Sequence, residues 1–225
     1  MNVLHWAVRT TKEKGLVQAV KIAGNVVMDL RFDWKYGTDT MRWVDRNALE
    51  TQSDNRSHSA PYRATKVGPL LELMGKLRLP RNCNFVDIGS GKGRVLLIAS
   101  RYGFRKVVGI EFSGELCAIA RRNVELYFRK AKPLSSIEVI EADATNYHFQ
   151  PEDRVLFMYN PFDGFVMAKV IENIRGSLER HPRRIWLIYN TPLQHEIIKK
   201  AAVFQMDSFC EIGGNHFRVY SNHEF

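Results

Sequence analysis

The sequence predicts an α/β fold with a doubly wound, seven-stranded, mostly parallel sheet, an antiparallel last strand and an N-terminal helical extension. Three observations predict this fold. From residue 84 onward, short segments rich in β-branched residues alternate with segments of helical period, which is typical of a parallel sheet. A glycine-rich loop joins the first of these strands to the next helix. Gly213-Gly214-Asn215 separates two final strands and is typical of a hairpin, which reverses the last strand.

Composition narrows the class of protein. The chain has 225 residues, of which 45% are hydrophobic and 25% are charged, as in ordinary globular proteins. No apolar run approaches the roughly 20 residues that span a bilayer. The cysteines, Cys83, Cys117 and Cys210, are too widely spaced for a disulfide framework or a paired metal motif. We therefore expect a cytoplasmic protein rather than a secreted, disordered or membrane-spanning one.

The chain divides into two parts, an extension over residues 1–61 and an α/β domain over residues 62–225. Within the extension, residues 3–30 carry apolar side chains at spacings of three and four, which predicts one helix, or two helices that break near Gly15. Residues 50–60 are almost entirely polar and predict a loop.

The elements of the α/β domain follow in order. Ser113 is a residue type suited to the N-cap of the helix that it precedes. Helices are predicted at 66–77, Val95–Tyr102, Ser113–Ala131, Gly164–Arg180 and Leu193–Ala202. Strands are predicted at Asn84–Ile88, Lys106–Glu111, Ile137–Ala142, Arg154–Tyr159, Arg184–Tyr189, Phe204–Ile212 and His216–Ser221.

The loop after the first strand carries the strongest functional signal. It reads Asp-Ile-Gly-Ser-Gly-Lys-Gly-Arg from Asp87 to Arg94. Glycines at a strand end and helix start let the backbone approach a nucleotide closely. A Walker A phosphate loop is excluded, because Gly91-Lys92 is followed by Gly93 rather than by Ser or Thr. The spacing also differs from the G-x-G-x-x-G of dinucleotide-binding folds.

Two further carboxylates end the next two strands. Glu111 closes the second strand and Asp143 follows the third. A carboxylate at the end of the second strand can accept hydrogen bonds from ribose hydroxyls. One such residue would be an ordinary surface carboxylate, whereas acidic residues at three consecutive strand ends indicate a nucleoside site.

The pattern Asp-x-Gly-x-Gly-x-Gly, together with these two carboxylates, resembles motif I of the class I methyltransferases that use S-adenosylmethionine. The resemblance covers about residues 62–221, and it implies a Rossmann-like methyltransferase domain. It implies that the glycine loop lies under the methionine part of the cofactor, Glu111 holds the ribose, and Asp143 and Ala144 hold the adenine with Phe112 on its ring. The implied cofactor-binding set is Asp87, Gly89, Ser90, Gly91, Gly93, Glu111, Phe112, Asp143, Ala144 and Asn160.

The end of the fourth strand, Tyr159-Asn160-Pro161-Phe162, resembles the (Asp/Asn/Ser)-Pro-Pro-(Tyr/Phe) motif of amino-group methyltransferases. It equally resembles the Asn-rich, Phe-containing motif of histone lysine methyltransferases that lack a SET domain. The sequence has one proline instead of two. An Asn oxygen and a carbonyl beside proline can accept two N–H bonds and aim a nitrogen lone pair, so that the reaction is mostly positioning. The candidate catalytic residues are Tyr159, Asn160, Pro161, Phe162 and Tyr62.

Tyr62 enters this set because a tyrosine just before the cofactor domain roofs the methyl site in related enzymes. The segment Asp33–Thr40 is predicted to be an aromatic loop that lines an acceptor pocket or forms a lid. The seven histidines show no metal-ligand spacing, so no metal is expected.

The excess positive charge is concentrated. The net charge is +9, and residues 61–110 hold ten Lys and Arg against two Asp and Glu. Such a stretch predicts contact with an anionic surface, or else a solvated basic face. Most of its cations fall at the sheet edge opposite the glycine loop.

These observations lead to the hypothesis of an S-adenosylmethionine-dependent methyltransferase that N-methylates an amine or amide on a protein or peptide. Three alternatives stay open: a small-molecule N- or O-methyltransferase, an RNA or DNA methyltransferase, and a non-catalytic cofactor-binding module. The sequence decides neither the acceptor nor the oligomeric state.

Overall fold

The computed structural model describes residues 16–42, residue 44 and residues 54–224. Its strands form one seven-stranded sheet in the order β3-β2-β1-β4-β5-β7-β6. The strands are β1 (Asn84–Ile88), β2 (Lys106–Glu111), β3 (Ser136–Glu141), β4 (Asp153–Tyr159), β5 (Trp186–Asn190), β6 (Met206–Ile212) and β7 (Asn215–Ser221).

Helices cover both faces of this sheet. Within the described residues, 3₁₀ turns at Asp54–His58, Ser100–Tyr102 and Ala144–Asn146 lie between the longer elements. The α-helices are α1 (Leu16–Tyr36), α2 (Val67–Lys76), α3 (Arg94–Ala99), α4 (Gly114–Lys130), α5 (Gly164–Arg180) and α6 (His195–Lys200).

The pairing of the strands confirms the predicted sheet. β1 pairs in parallel with β2 and β4, β2 with β3, and β4 with β5. β7 runs antiparallel to both β5 and β6. The parallel strands therefore end at one common edge, where the loops after β1, β2, β3 and β4 meet.

Alternating side chains build a core on each face of the sheet. In β1, Phe85 belongs to the cluster under α2, α3 and α4, whereas Val86 and Ile88 belong to the cluster under α5. In β4, Phe157 and Leu156 divide in the same way. This burial on both faces is why the central strands are continuously apolar.

The extension packs on the α/β domain through α1. Phe32 and Tyr36 are buried, and their rings contact Tyr127 of α4 at centroid distances of 6.2 and 4.5 Å. The helix continues to Tyr36, so the prediction of a loop from Asp33 was wrong for its first four residues. Residues 3–15 of the predicted helix lie outside the described residues.

Other boundaries differ by one or two residues from those predicted. The polar segment 50–60, predicted to be a loop, contains a 3₁₀ turn at Asp54–His58. The helix predicted at Val95–Tyr102 is α3 followed by a 3₁₀ turn. Ser113 is an N-cap, as predicted, and its hydroxyl accepts a hydrogen bond from the Leu116 amide. Within the described residues, none of the helices has the length and apolar character needed to cross a bilayer.

Candidate functional site

The glycine loop turns sharply between β1 and α3. Gly89, Gly91 and Gly93 all have left-handed backbones, with φ of 78°, 53° and 83°. A Cβ on Gly89 would lie 2.5 Å from the Pro161 side chain, and one on Gly91 would lie 2.3 Å from the Tyr62 ring. Both approaches are closer than two carbon atoms can tolerate. The glycines therefore allow the loop to contact Pro161 and Tyr62, two of the predicted catalytic residues.

Glu111 holds the glycine loop in place. Its carboxylate accepts hydrogen bonds from the Gly91 amide at 2.8 Å and from the Ser113 amide at 3.1 Å. The Phe112 amide also bonds to it. A carboxylate accepts about four hydrogen bonds, so Glu111 keeps capacity for a further donor such as a ribose hydroxyl.

Asp87 and Glu111 form a pair of buried carboxylates beneath the loop. Desolvation raises the pKa of Asp87 well above its usual value, and the neighbouring Glu111 raises it further. Desolvation also raises the pKa of Glu111, although the three backbone amides oppose that shift. The described residues place no ion pair on either carboxylate, so this part of the site favours a cationic ligand.

Asp143 sits at the end of β3 and caps the following 3₁₀ turn. Its Oδ1 accepts hydrogen bonds from the amide and hydroxyl of Thr145 at 2.8 and 2.7 Å. Its Oδ2 accepts one from the Asn55 side chain at 2.8 Å. The carboxylate is therefore fixed in direction, and Asn55 brings the extension over the part of the site where adenine is expected.

Asn160 has an unusual backbone for a residue with a side chain. Its φ is 39°, in the left-handed region that Asn tolerates better than most residues. The Tyr189 hydroxyl donates a hydrogen bond to the Asn160 side-chain oxygen at 2.8 Å. Burial raises the pKa of Tyr189 to about 12, so its hydroxyl stays protonated as a donor. Residues held in sparsely populated conformations cluster at functional sites.

A short segment at the junction of the extension and the α/β domain, residues 54–63, crosses the end of β4; we call it the strap. The Ala60 amide donates to the Pro161 carbonyl at 2.9 Å, and the Asp163 amide donates to the His58 carbonyl at 2.9 Å. Ser59 pairs with Phe162 as an antiparallel bridge. Phe162 is thereby buried under the strap rather than open to solvent.

Asp163 joins the strap to α5. Its carboxylate caps the helix by accepting hydrogen bonds from the amides of Phe165 and Val166. Its other oxygen lies 2.7 Å from Nδ1 of His58. The hydrogen bond to His58 lowers the pKa of Asp163 below its usual value. Asp163 therefore has a structural role after the Asn-Pro-Phe motif.

Tyr62 lies at the end of the strap, against Gly91. Its hydroxyl donates to the Thr40 carbonyl at 2.6 Å, and the Lys92 ammonium lies 5.7 Å from its ring centroid. Lys92 is fully buried and pairs with Asp39 at 3.1 Å. The ring is thus clamped between the glycine loop and the segment after α1.

One cavity, with an empty volume of about 920 Å³ including its open mouth, brings the predicted residues together. Gly93 lies outside it and packs toward Ala120 instead. The predicted residues that line the cavity are Tyr62, Asp87, Gly89, Ser90, Gly91, Glu111, Phe112, Asp143, Ala144, Tyr159, Asn160, Pro161 and Phe162.

Sequence reasoning missed Asn55, which lines the cavity, and Tyr189, which fixes Asn160. It also missed that Arg94 is buried, with ion pairs to Asp29 and Asp33 of α1. Asn55 sits in a polar run and Tyr189 in an apolar strand, so the local pattern of neither one indicates a role. Among the described residues, no cluster of His, Cys, Asp or Glu could hold a metal ion.

Part of the chain is similar to known proteins. Residues 85–181 match a family described as a methyltransferase domain. The histone-lysine N-methyltransferase specific for H3 lysine 79 of Caenorhabditis elegans is 25% identical, covering 80% of this chain and 22% of that protein. The chain thus spans about a fifth of the relative's length.

Solved structures show the same fold. An S-adenosylmethionine-dependent methyltransferase from Aquifex aeolicus has a TM-score of 0.53 and 18% identity, covering 68% of this chain and 88% of that one. An RNA methyltransferase from Salinibacter ruber, solved with S-adenosyl-L-homocysteine, has a TM-score of 0.51 and 19% identity, covering 72% and 95%. This is the Rossmann-like methyltransferase fold. The match to the methyltransferase-domain family, residues 85–181, runs from β1 to α5 and includes the glycine loop and the Asn-Pro-Phe segment.

Proposed function

We propose that the protein is an S-adenosylmethionine-dependent methyltransferase that N-methylates a primary amine or amide on a protein or peptide. The single observation that carries this proposal is that one cavity joins the glycine loop to Asn160-Pro161-Phe162. Pro161 and Gly89 are in such close contact that a side chain on Gly89 could not be accommodated. A cofactor on the loop and an acceptor at Asn160 would therefore share one space.

The chemistry of the cavity fits the cofactor. Asp87 and Glu111 are carboxylates buried without an ion pair among the described residues, and a ligand that carries a sulfonium and an ammonium group complements them. The Ser90 hydroxyl is buried beside the cavity with no hydrogen-bond partner in the described structure. When bound, S-adenosylmethionine supplies an electrophilic methyl group.

The ligand-holding roles divide along the strand ends. The loop backbone with Ser90 and Asp87 would hold the amino-acid part, and Glu111 would bind the ribose with its remaining acceptor capacity. Asp143 and Ala144 would lie at the adenine, with Phe112 against its ring. All of these residues line the cavity.

On the acceptor side, the chain positions a nitrogen rather than deprotonating it with a strong base. The Asn160 oxygen accepts a hydrogen bond from Tyr189 and has a second lone pair for a substrate N–H. The Tyr62 ring closes the site over Gly91. The site thus offers an oriented hydrogen-bond acceptor, the Asn160 oxygen, and an aromatic wall. This arrangement suits an amine substrate whose lone pair must face the methyl carbon.

The acceptor class has support from a relative. The Caenorhabditis elegans protein is named for methylation of a histone lysine, and a lysine side chain is a primary amine. The aromatic wall of Tyr62 and Tyr159 is suited to a group that becomes a cation. A protein or peptide amine is therefore the acceptor we favour over a small molecule or a nucleic acid.

The first test uses the full-length protein with methyl-labelled S-adenosylmethionine and a cell lysate, followed by separation into protein, nucleic-acid and small-molecule fractions. We expect label in protease-sensitive material. Label confined to nuclease-sensitive or small-molecule material would overturn the proposed protein or peptide acceptor. It would still support a methyltransferase. Cofactor binding with no label in any fraction would favour the non-catalytic alternative.

Asn160→Ala tests the site itself. We expect transfer to fall at least about a hundredfold, because one positioning hydrogen bond in the transition state is worth about 2.7–4 kcal/mol. Affinity for S-adenosyl-L-homocysteine, measured by calorimetry, should change little. The matched control is Glu111→Ala, which should weaken that affinity by about 1–3 kcal/mol. Full transfer by Asn160→Ala would remove Asn160 from the mechanism.

A further inference from the structure

The outer face of α1 carries an apolar stripe. Val20, Val27, Leu30 and Trp34 recur at helical spacing and are all more than half exposed, and Trp34 is 85% exposed. Single exposed apolar residues are ordinary, but a continuous stripe of this kind on one helix marks a contact surface. The stripe lies on the outside of the helix, away from Phe32 and Tyr36, which enter the core.

The charges of α1 are separated between its two faces. The acidic residues of the helix are Asp29 and Asp33, and both face inward to the buried guanidinium of Arg94, at 3.1 and 3.5 Å. The basic residues, Lys21, Arg31 and Lys35, are all exposed. The exposed surface of the helix therefore combines an apolar stripe with three cations and has no exposed carboxylate from the helix.

The stripe is presented by a helix that is firmly attached. The Asn25 side chain donates to the Gly213 carbonyl at 3.0 Å, and Asp29 accepts from Lys66 and from the Val67 amide at 3.0 and 2.9 Å. A docking partner would consequently meet a formed surface and would not need to order this part of the helix first.

We propose that this face of α1 binds the surface of an anionic lipid bilayer. A helix with Trp, Leu and Val on one side and Lys and Arg beside them suits the boundary between acyl chains and anionic headgroups. The apolar stripe would enter the boundary while the three cations meet the headgroups. This surface belongs to the extension and is distinct from the basic stretch of residues 61–110.

Charge complementarity also argues against a second copy of this chain as the occupant. Two such faces would bring three cations against three cations, with no carboxylate of the helix between them. Nucleic acid would pair with the cations but leave the stripe in water. An anionic bilayer satisfies both components of the face.

The experiment measures vesicle co-sedimentation of the full-length protein. We expect binding to vesicles that contain about one third phosphatidylglycerol, little binding to pure phosphatidylcholine, and weaker binding at higher salt. The triple change Lys21→Glu, Arg31→Glu, Lys35→Glu should reduce binding by about a hundredfold or more, since each cation near such a surface contributes about fivefold. The double change Leu30→Glu, Trp34→Glu should abolish it.

Matched controls keep net charge and exposure equal. Lys132, Lys199 and Lys200 are exposed elsewhere, and their triple change to Glu alters net charge by the same amount. Leu134 and Phe209 are exposed apolar residues outside α1, so their double change to Glu matches the stripe variant. Both controls should bind as the wild type does. Every variant should retain its affinity for S-adenosyl-L-homocysteine, which reports folding independently of lipid.

Three results would overturn the proposal. The first is equal loss of binding in the control and stripe variants, which would mean adsorption by net charge alone. The second is a dimer in sedimentation analysis that the Leu30→Glu, Trp34→Glu variant loses, which would assign the face to a second copy. The third is absence of vesicle binding in the wild type together with a lowered unfolding midpoint in the Leu30→Glu, Trp34→Glu variant. That result would mean that another part of this chain covers the stripe.

Discussion

At the scale of single residues, the buried carboxylate of Asp87 lowers the stability of the fold while it favours binding of a cationic ligand. Because burial raises its pKa above the unfolded value of about 3.9, its contribution to stability is fully present below that pH and is lost as pH rises through the folded pKa. Asp87→Asn cannot ionise. We expect it to raise the free energy of unfolding at neutral pH by about 0.5–2 kcal/mol, as relief of a strained functional position often does.

The measurement is urea unfolding of wild type and Asp87→Asn at acidic and neutral pH, without ligand. The advantage of the variant should grow as pH rises, while its affinity for S-adenosylmethionine falls because a negative charge is lost. Asp163→Asn is the control, since the pKa of Asp163 is lowered and its ionised form stabilises the fold. An advantage for Asp87→Asn that shrinks toward neutral pH would contradict the account.

A residue of the site could be predicted from the sequence when its role follows from local pattern, and could not when its role depends on distant contacts. Asp87, Glu111 and Asp143 could be predicted because each follows a recognisable strand, and parallel strands bring their ends together. Asn55 and Tyr189 could not, because their contacts with Asp143 and Asn160 span 88 and 29 positions. Arg94 ends the glycine-loop motif in the sequence, but its burial depends on carboxylates from a separate helix.

At the scale of elements, Asp163 connects α5 to the strap. Asp163→Ala removes the N-cap of a 17-residue helix and the hydrogen bond to His58. We expect a loss of about 0.5–2 kcal/mol in the free energy of unfolding. Asp163→Asn should lose less, because Asn is also a good N-cap. His58→Ala should leave stability nearly unchanged, since exposed pairs contribute about 0–1 kcal/mol.

The three variants separate the cap from the strap. We expect Asp163→Ala and His58→Ala both to weaken binding of S-adenosyl-L-homocysteine, because the strap carries Asn55 to Asp143. Calorimetric titration measures this affinity, and urea unfolding measures stability. Equal destabilisation by Asp163→Asn and Asp163→Ala would show that the charge matters more than the cap.

Sequence periodicity predicted the helices and strands more accurately than it predicted the residues where they begin and end. β1 and β2 match their predicted bounds, because β-branched runs end at glycine or at an acidic residue. The end of α1 was missed because Asp33 is stabilised there by the buried guanidinium of Arg94, which lies 61 positions away in the sequence. Such a boundary is fixed by tertiary contact, which a local pattern does not contain.

At the scale of the whole molecule, the extension and the glycine loop are one structural unit. Arg94, the first residue of α3, donates its Nε–H to the Thr40 hydroxyl at 2.7 Å, and its Nη1 lies 3.1 Å from the Asp29 carboxylate. Thr40 in turn accepts from Tyr62, which covers Gly91. A chain of buried polar contacts thus runs from α1 to the proposed methyl site.

Arg94→Met tests this coupling. Asp29 is fully buried, so removing the guanidinium leaves its carboxylate with Lys66 and one backbone amide as the described partners. Breaking a buried ion pair costs about 3–5 kcal/mol, and we expect that loss in urea unfolding. Affinity for S-adenosyl-L-homocysteine should fall as well, because Thr40 and Tyr62 lose their support.

Lys76→Met, which breaks an exposed pair with Glu72, is the matched control and should lose less than about 1 kcal/mol of stability. Adding Asp29→Asn to Arg94→Met removes the stranded charge, so the double variant should recover part of the stability. Loss of affinity without loss of stability would instead mean that Arg94 acts on the site alone, and that α1 is held to the domain mainly by Phe32 and Tyr36.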